Sequence, residues 1–327
     1  MANNHKLNVL IVGCGNIAGA FDENRGEYKF PYTHAGAYAQ DDRFNIVGCV
    51  EPDQVKRLEF MSFWLVDQGW SSIDEIQGEV AFDIISICSP TIYHYENILS
   101  AIALKPQLVF CEKPIAATLL DAERIVNECE RAGILLAINH TRTWDQVLQQ
   151  LKLDMDSGNW GELRSVVGLY NKGILNNGSH LLDLLLFLVG ELQVISVGPP
   201  TFDFFNDDPT VSVFLQSDKG VGVHLVSGNA QDFAIFELQL IFSKGVLVME
   251  DSGFRWRERI VEKSELFTGY QYLNAGKYKK GAYERAMKYA VDNIYHSVVE
   301  GKPLKKNGRM ALRVQFLCEQ IRQLAVV

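Results

Sequence analysis

The sequence predicts an N-terminal α/β domain on a doubly wound parallel sheet over residues 1–139. It is followed by an α+β domain with a large, mainly antiparallel sheet over residues 140–327. Three observations carry this. Short aliphatic runs alternate with amphipathic helical patterns up to residue 139, the rhythm of parallel strands joined by crossover helices. The first run, Leu7–Val12, leads straight into Gly13-Cys14-Gly15-Asn16-Ile17-Ala18, a strand entering a Gly-x-Gly-x-x-Ala turn. Beyond residue 140 the runs become β-type and follow one another across hairpin signals such as Ser217-Asp218-Lys219-Gly220 and Ser243-Lys244-Gly245.

Each element of the first domain follows from local pattern. Leu7–Val12 is mostly aliphatic, as a parallel strand buried on both faces requires. In the turn after it Gly13 allows a tight bend, Gly15 lets backbone approach a pyrophosphate, and Ala18 lets the next helix pack on the strand. With Asn16 and Ile17 this stretch opens a helix whose unpaired N–H groups and positive dipole end suit phosphate. Residues 21–33, with Glu23, Arg25, Gly26, Glu27, Lys29 and Pro31, read as a polar loop inserted before a helix at His34–Ala39. Such a loop at the carboxyl edge of a sheet either covers a ligand or is a surface excursion.

Phe44–Val50 is the second strand, ending at Glu51. An acidic residue here accepts hydrogen bonds from the adenosine ribose and repels an extra phosphate, which favours NAD over NADP. Glu51 lies further from the glycines than the usual distance of about twenty residues, and the inserted loop accounts for the excess. The alternative is a solvated strand-end charge. Helices are predicted at 55–70 and 73–76, a buried strand at 81–88, a helix at 94–104, a strand at 107–111, a helix at 119–131 stopped by Gly133, and a last strand at 134–138.

In the second domain the pattern gives a helix at 144–155, a strand at Leu163–Tyr170 and a leucine-rich helix at Ser179–Val189. Strands follow at 194–197, 210–216, 221–226, 233–241 and Gly245–Glu250, then helices at 282–300 and from Gly308 onward.

Composition narrows the function classes. A hydrophobic content of 47% with 22% charged residues is ordinary for a globular protein, and a net charge of −9 argues against nucleic acid or an anionic membrane as partner. No apolar run reaches membrane-span length; 181–189 is too short and contains Asp183. The first six residues lack the apolar core of a signal peptide, and the six cysteines are scattered without a Cys-x-x-Cys pair, so a cytoplasmic protein is expected. His5, His34, His140, His224 and His296 show no metal-ligand spacing, and no metal is expected.

The chemistry concentrates at strand ends, where open α/β sheets bind ligands: the glycine turn, Glu51, the segment Ser89-Pro90-Thr91 to His94, and Glu112-Lys113-Pro114. Lys113, between an apolar strand and a proline, is placed to hydrogen-bond a substrate hydroxyl beside a nicotinamide; otherwise it pairs structurally with Glu112. His94 either lines that pocket or packs. His180 opens the leucine-rich helix, with Ser179 or Asn177 as candidate caps and Asn176 one turn earlier. A histidine held there suits proton transfer at neutral pH, and the plainer reading is a capping residue. Lys172 is a candidate for an anionic substrate group, or a strand-end surface lysine.

Taken together, Gly13-x-Gly15-x-x-Ala18, Pro90-x-x-x-His94, Glu112-Lys113-Pro114, Asn139-x-x-Arg142 and Gly178-x-His180-x-x-Asp183 give the chain a family resemblance. In that order, over residues 7 to about 190, it resembles the glucose–fructose oxidoreductase, inositol dehydrogenase and rhizopine-catabolism (Gfo/Idh/MocA) family. The resemblance implies a Rossmann domain that binds NAD(P), hydride transfer between a sugar-type secondary alcohol and nicotinamide, and a homodimer or homotetramer formed through the C-terminal sheet. It implies catalytic roles for Lys113 and His180, with Ser89, Pro90, Thr91, His94 and Glu112 at the cofactor and Asn139, Arg142, Lys172 and Asn176 at the substrate. Family members typically carry aspartate where this chain has Asn176, which can orient a hydroxyl but cannot relay a proton. The Asn176-Asn177-Gly178-Ser179-His180 form, with Thr33-His34, looks closer to members acting on sugar nucleotides. Two other readings remain: an NAD-dependent glycosidase working by oxidation and elimination, and a dinucleotide-binding protein without catalysis.

Overall fold

The structure, a computed structural model, describes residues 6–23, 25, 29–77 and 80–325. Residues 1–5, Gly26 and Glu27, used in the sequence reading, lie outside them. The chain divides into two compact units, one of residues up to Trp144 together with Glu284–Arg313, the other of Asp145–Tyr283 and Val314 onward. The division falls at Trp144/Asp145 rather than at 139/140, and Glu284–Arg313, expected with the second domain, packs with the first.

The first unit is built on six parallel strands: β1 (Leu7–Val12), β2 (Phe44–Val50), β3 (Gly69–Trp70), β4 (Ile84–Ile87), β5 (Leu108–Cys111) and β6 (Leu135–Ile138). Their order is β3-β2-β1-β4-β5-β6. All four residues of β4 and of β5 are buried; β5 is an unbroken apolar run, and β4 is interrupted only by Ser86, whose hydroxyl lies 2.9 Å from the Tyr38 hydroxyl. The order reverses between β1 and β4, so the loops leaving those two strands diverge at a topological switch point, where such sheets bind ligands.

The segment after β1 is not one regular helix. Asn16–Ala20 forms a π-helical turn, followed by the single turn α1 (Phe21–Glu23) and, after the loop, α2 (His34–Ala39). Fully buried Asp22 closes the loop by accepting from the amides of Tyr32 and Thr33 and from the Thr33 hydroxyl at 2.6 Å, while pairing with Arg25 at 2.9 Å. Thr33 in turn caps α2 by accepting from Gly36 N.

Helix α3 (Gln54–Trp64) ends earlier than the expected 55–70. Leu65 turns left-handed (φ 55°), and Trp70 joins the sheet as β3, where its ring packs over Gly48 and edge-on to Phe82. Helices α4 (His94–Ala103) and α5 (Leu119–Ala132) stand as expected, α5 closing on Gly133 at φ 71°.

The second unit carries a nine-stranded mixed sheet. Its strands are β7 (Leu163–Tyr170), β8 (Leu192–Val197), β9 (Val213–Ser217), β10 (Gly222–Ser227), β11 (Phe236–Phe242), β12 (Gly245–Glu250), β13 (Arg255–Lys263), β14 (Gln271–Leu273) and β15 (Lys277–Lys280). They run in the order β14-β13-β12-β11-β7-β10-β9-β8, with β15 on β13, and β7 pairs with β10 in parallel within an otherwise antiparallel sheet. One face is covered by α6 (Gln146–Asp156), the almost wholly buried α7 (Ser179–Val189) and the C-terminal half of α9 (Gly308–Ala325).

The last elements of the first unit are α8 (Ala286–Glu300) and the start of α9. Helix α8 buries Met287, Ala290, Val291 and Ile294. Arg43 reaches Asp292 at 2.9 Å and stacks over Tyr295, and Gly308 sits against Leu136 and Val126. This packing draws residues 284–313 back to the first unit. Among the described residues no helix is long and apolar enough to cross a membrane.

Candidate active site

The residues expected at the cofactor gather at the carboxyl ends of the parallel strands. Gly13 follows β1 at φ +86°, and a Cβ there would lie 2.6 Å from the backbone nitrogen of Ser89, which follows β4. Only glycine lets the two loops meet. Gly15 differs: its φ of −85° suits any residue, and a Cβ built on it meets nothing within 4 Å. The protein's own packing therefore makes no demand for glycine at this position. Ala18 is fully buried, as is required for close packing, and Gly19 lies under the rings of Trp64 and Phe60. Asn16 is exposed and Ile17 half-buried.

Glu51, after β2, is joined to this turn. One carboxylate oxygen accepts from Cys14 N at 2.9 Å and the other from Asp53 N at 3.1 Å. A carboxylate offers about four lone-pair positions, so these bonds leave Glu51 capacity for further donors.

The loops after β4 and β5 are tied together by His94, which is 1% exposed. Its Nε2 lies 2.9 Å from the Ser89 carbonyl and its Nδ1 2.9 Å from the Pro114 carbonyl. His94 is thus a brace between loops, with Pro90 exposed and Ser89 and Thr91 half-buried beside it. The Ser89 hydroxyl accepts from Asn97 Nδ2 at 2.9 Å.

Glu112 and Lys113 follow β5, and the Lys113–Pro114 peptide is cis. Glu112 Oε1 is 3.0 Å from His34 Nε2 and accepts from Asn139 Nδ2 at 2.6 Å, while Oε2 accepts from Lys113 N at 3.3 Å. Burial pushes this carboxyl up, but the bonds from His34 and Asn139 and the nearby Lys113 charge outweigh it and hold it below the usual range. Asn139 is fully buried, and its Oδ1 accepts from Trp144 Nε1 at 3.3 Å. It stands behind Glu112 as a support. Arg142 is 8% exposed in the adjoining turn Thr141–Trp144. Half-buried Lys113 is the residue of this group that presents a side-chain amine at the strand ends.

In the second unit the expected chemistry surrounds an irregular turn. Lys172 is left-handed (φ 66°), and Gly173–Gly178 forms a π-helical turn running straight into α7. Asp208 organises it: its two carboxylate oxygens accept from Leu175 N at 2.9 Å and Asn176 N at 2.8 Å. A Cβ on Gly173 would fall on that carboxylate. Asp203 accepts from Lys172 N and from the Thr210 hydroxyl, which itself accepts from Gly173 N at 2.8 Å. Neither Ser179 nor Asn177 caps α7 as expected. The preceding π turn already occupies the first amides of α7, and the Ser179 hydroxyl bonds back to Asn176 O. Half-buried Asn176 donates to Lys172 O at 3.1 Å, and His180, 9% exposed, lies edge-on to Phe236.

Sequence reasoning missed Asp22, Asp203, Asp208 and Thr210, whose partners lie 3 to 37 residues away in the chain. In sequence His34 reads as the first residue of a helix and as part of the Thr33-His34 pair, not as a partner of Glu112.

Comparison with known proteins agrees with this arrangement. Residues 7–140 match the model of the Gfo/Idh/MocA oxidoreductase family, NAD-binding Rossmann fold. Over 142 residues the chain is 26% identical to scyllo-inositol 2-dehydrogenase (NADP(+)) of Bacillus subtilis, covering 38% of this chain and 39% of that protein. Over 215 residues it is 24% identical to D-glucoside 3-dehydrogenase of Escherichia coli, covering 60% of this chain and 58% of the relative. The chain thus spans from about two fifths to under three fifths of the length of these relatives. In fold it is similar to the WlbA dehydrogenase from Bordetella pertussis, solved with NADH and UDP-GlcNAcA. That match has a TM-score of 0.76 at 18% identity, over 98% of this chain and 97% of that one. The match over residues 7–140, with the strand order and glycine turn that accompany it, makes this part of the chain similar to the NAD-binding domain of the Gfo/Idh/MocA oxidoreductase family.

Proposed function

We propose that this protein is an NAD-dependent oxidoreductase acting on a secondary alcohol of a sugar or sugar derivative. The observation that carries the reading is Gly15, a glycine its own fold does not require, at the switch point of a parallel sheet and two residues from Gly13, which the fold does require. Gly13, Gly15, Asn16, Ile17 and Ala18 would seat the pyrophosphate, and Glu51 the adenosine ribose. Its carboxylate supports NAD over NADP, because a phosphate on that ribose would meet a like charge. Bound NAD supplies a hydride acceptor or, when reduced, a donor.

The protein's own residues have separate tasks in this reading. Lys113 donates a hydrogen bond to the reacting oxygen and stabilises its developing charge, beside the Glu112 carboxylate, which accepts from the Lys113 backbone amide. Ser89, Pro90, Thr91 and His94 hold the neighbouring cofactor loop. His180 exchanges the hydroxyl proton, and Asn176 orients the sugar without carrying charge. Lys172 meets an anionic group on the substrate, and Asn139 and Arg142 support the substrate side. The Bordetella protein's UDP-GlcNAcA supports a sugar-nucleotide substrate.

The six cysteines are all buried free thiols, which supports a reducing, cytoplasmic setting. Ile195 and Val226, exposed on β8 and β10, support a homodimer or homotetramer through the sheet.

Nicotinamide absorbance followed across a panel of polyols, glycosides and sugar nucleotides tests the reading. Turnover by the wild type with a loss of about 10²-fold or more in Lys113→Ala and in His180→Ala is expected. Full turnover in Lys113→Ala would refute the assignment.

A further inference from the structure

Beside the turn that carries Asn176, four phenylalanines stand in water. Phe202 is 50% exposed, Phe204 57%, Phe205 38% and Phe233 62%. Exposed large apolar side chains are common singly, but a group of them rimmed by polar residues marks a contact surface. These are not on slack loops. Asp203, 6% exposed and flanked by Phe202 and Phe204, accepts from Lys172 N, Ala230 N and the Thr210 hydroxyl. Asn171, fully buried, donates to the Phe233 carbonyl at 2.5 Å and accepts from Ile235 N at 3.2 Å. Two buried polar side chains therefore clamp two phenylalanine-tipped loops onto residues 171 and 172, at the entry of the π-helical turn. Phe204 is set edge-to-face against Phe205 at 4.7 Å, which fixes its ring, and Lys172 Nζ lies 5.2 Å from the centre of that ring.

We propose that Phe204, with Phe205, Phe233 and Lys172, forms a stacking subsite for a planar aromatic group carried on the sugar. A phenyl ring with an ammonium over it and more than half of its surface in water suits an aromatic ring with polar or anionic linking atoms next to it. An aryl aglycone and the base of a sugar nucleotide share that chemistry. The inference deepens the proposed function and rests on it for the sugar. The stacking itself stands on the second unit alone.

The test is calorimetric titration of the NADH-loaded protein with phenyl β-D-glucoside, methyl β-D-glucoside and uridine 5′-monophosphate. Wild type, Phe204→Ala, Phe204→Tyr and Lys172→Ala are compared, each also titrated with NADH. At least one aromatic probe should bind about tenfold or more tighter than methyl glucoside. Phe204→Ala should abolish that preference, and Phe204→Tyr should retain it. A nucleotide subsite shows as uridine monophosphate binding weakened by Lys172→Ala; an aglycone subsite shows as phenyl glucoside binding that Lys172→Ala leaves unchanged. Equal binding of methyl and aromatic probes, aromatic binding untouched by Phe204→Ala, or no binding of either aromatic probe overturns the proposal. Loss of NADH binding with aromatic binding retained would refute the dehydrogenase reading and leave the subsite standing.

Discussion

Gly13 and Gly15 are two residues apart, yet substituting each with alanine should have opposite consequences. At Gly13 a methyl group would be forced into the left-handed region, at about 1–2 kcal/mol. It would also sit 2.6 Å from Ser89 N and 2.7 Å from Ser89 Cα, backbone atoms that must shift, at about 1–3 kcal/mol more. The stiffer unfolded chain offsets about 0.4–1 kcal/mol. The net loss is about 1–4.6 kcal/mol, a fall in melting temperature of roughly 2–18 °C for a unit of this size. At Gly15 the same methyl meets nothing within 4 Å at an ordinary φ. Gly15→Ala should therefore melt like the wild type or gain up to about 1 kcal/mol. Its methyl would instead occupy the approach of a pyrophosphate, weakening NADH by about tenfold or more, ~1.4 kcal/mol. Thermal melts without cofactor, paired with fluorescence titration of NADH, separate the two effects. Wild-type NADH affinity in Gly15→Ala, or a wild-type melt in Gly13→Ala, would refute the reasoning.

Other outcomes follow from the same contacts. Glu112, held below the usual carboxyl range, contributes stability that is present above the unfolded value of about 4.3 and is lost as pH falls through its lowered native value. Glu112→Gln should cost about 1.5–3 kcal/mol at pH 7, and urea unfolding should show the gap closing on acidification. A constant gap would deny the charge its role. Asp145, the cap of α6, is pushed up to about 6 by burial, against the bonds it accepts from Val147 and Ala282. A raised carboxyl destabilises once ionised, so Asp145→Asn should gain roughly 1–3 kcal/mol above pH 6 and nothing near pH 4. Equal stability of the two at pH 8 would contradict this. Asp208→Ala removes the acceptors of the Leu175 and Asn176 amides in the second unit's π-helical turn and should cost about 2–4 kcal/mol. Amide exchange at Leu175 and Asn176 should rise in that variant; unchanged protection there would assign the turn to other contacts.

What the sequence made legible was local. Strands β1, β4 and β5 are buried on both faces, so mostly apolar runs announce them, and the glycine turn, Glu51 and Glu112-Lys113 follow strand ends directly. What it hid was non-local or two-faced. β13 has one buried residue in nine and six charged ones without regular alternation, so it resembles a surface segment. The π-helical turn at Gly173–Gly178 is held by Asp208, more than thirty residues from its partners. Helix α3 stops where Leu65 turns left-handed, because Trp70 has a place over Gly48 that no local pattern reveals. Asn139 shows the same limit: motif order gave its place in the chain, while its full burial and its bond to Glu112 depend on a residue 27 positions away.

The central claim is that the glycine turn and Glu51 form a dinucleotide site. Parallel fluorescence titrations of the wild type and Glu51→Ala with NADH and NADPH test it most directly. The account predicts micromolar NADH binding, weaker NADPH binding, and loss of that preference in Glu51→Ala. Failure of the wild type to bind either nucleotide would contradict it.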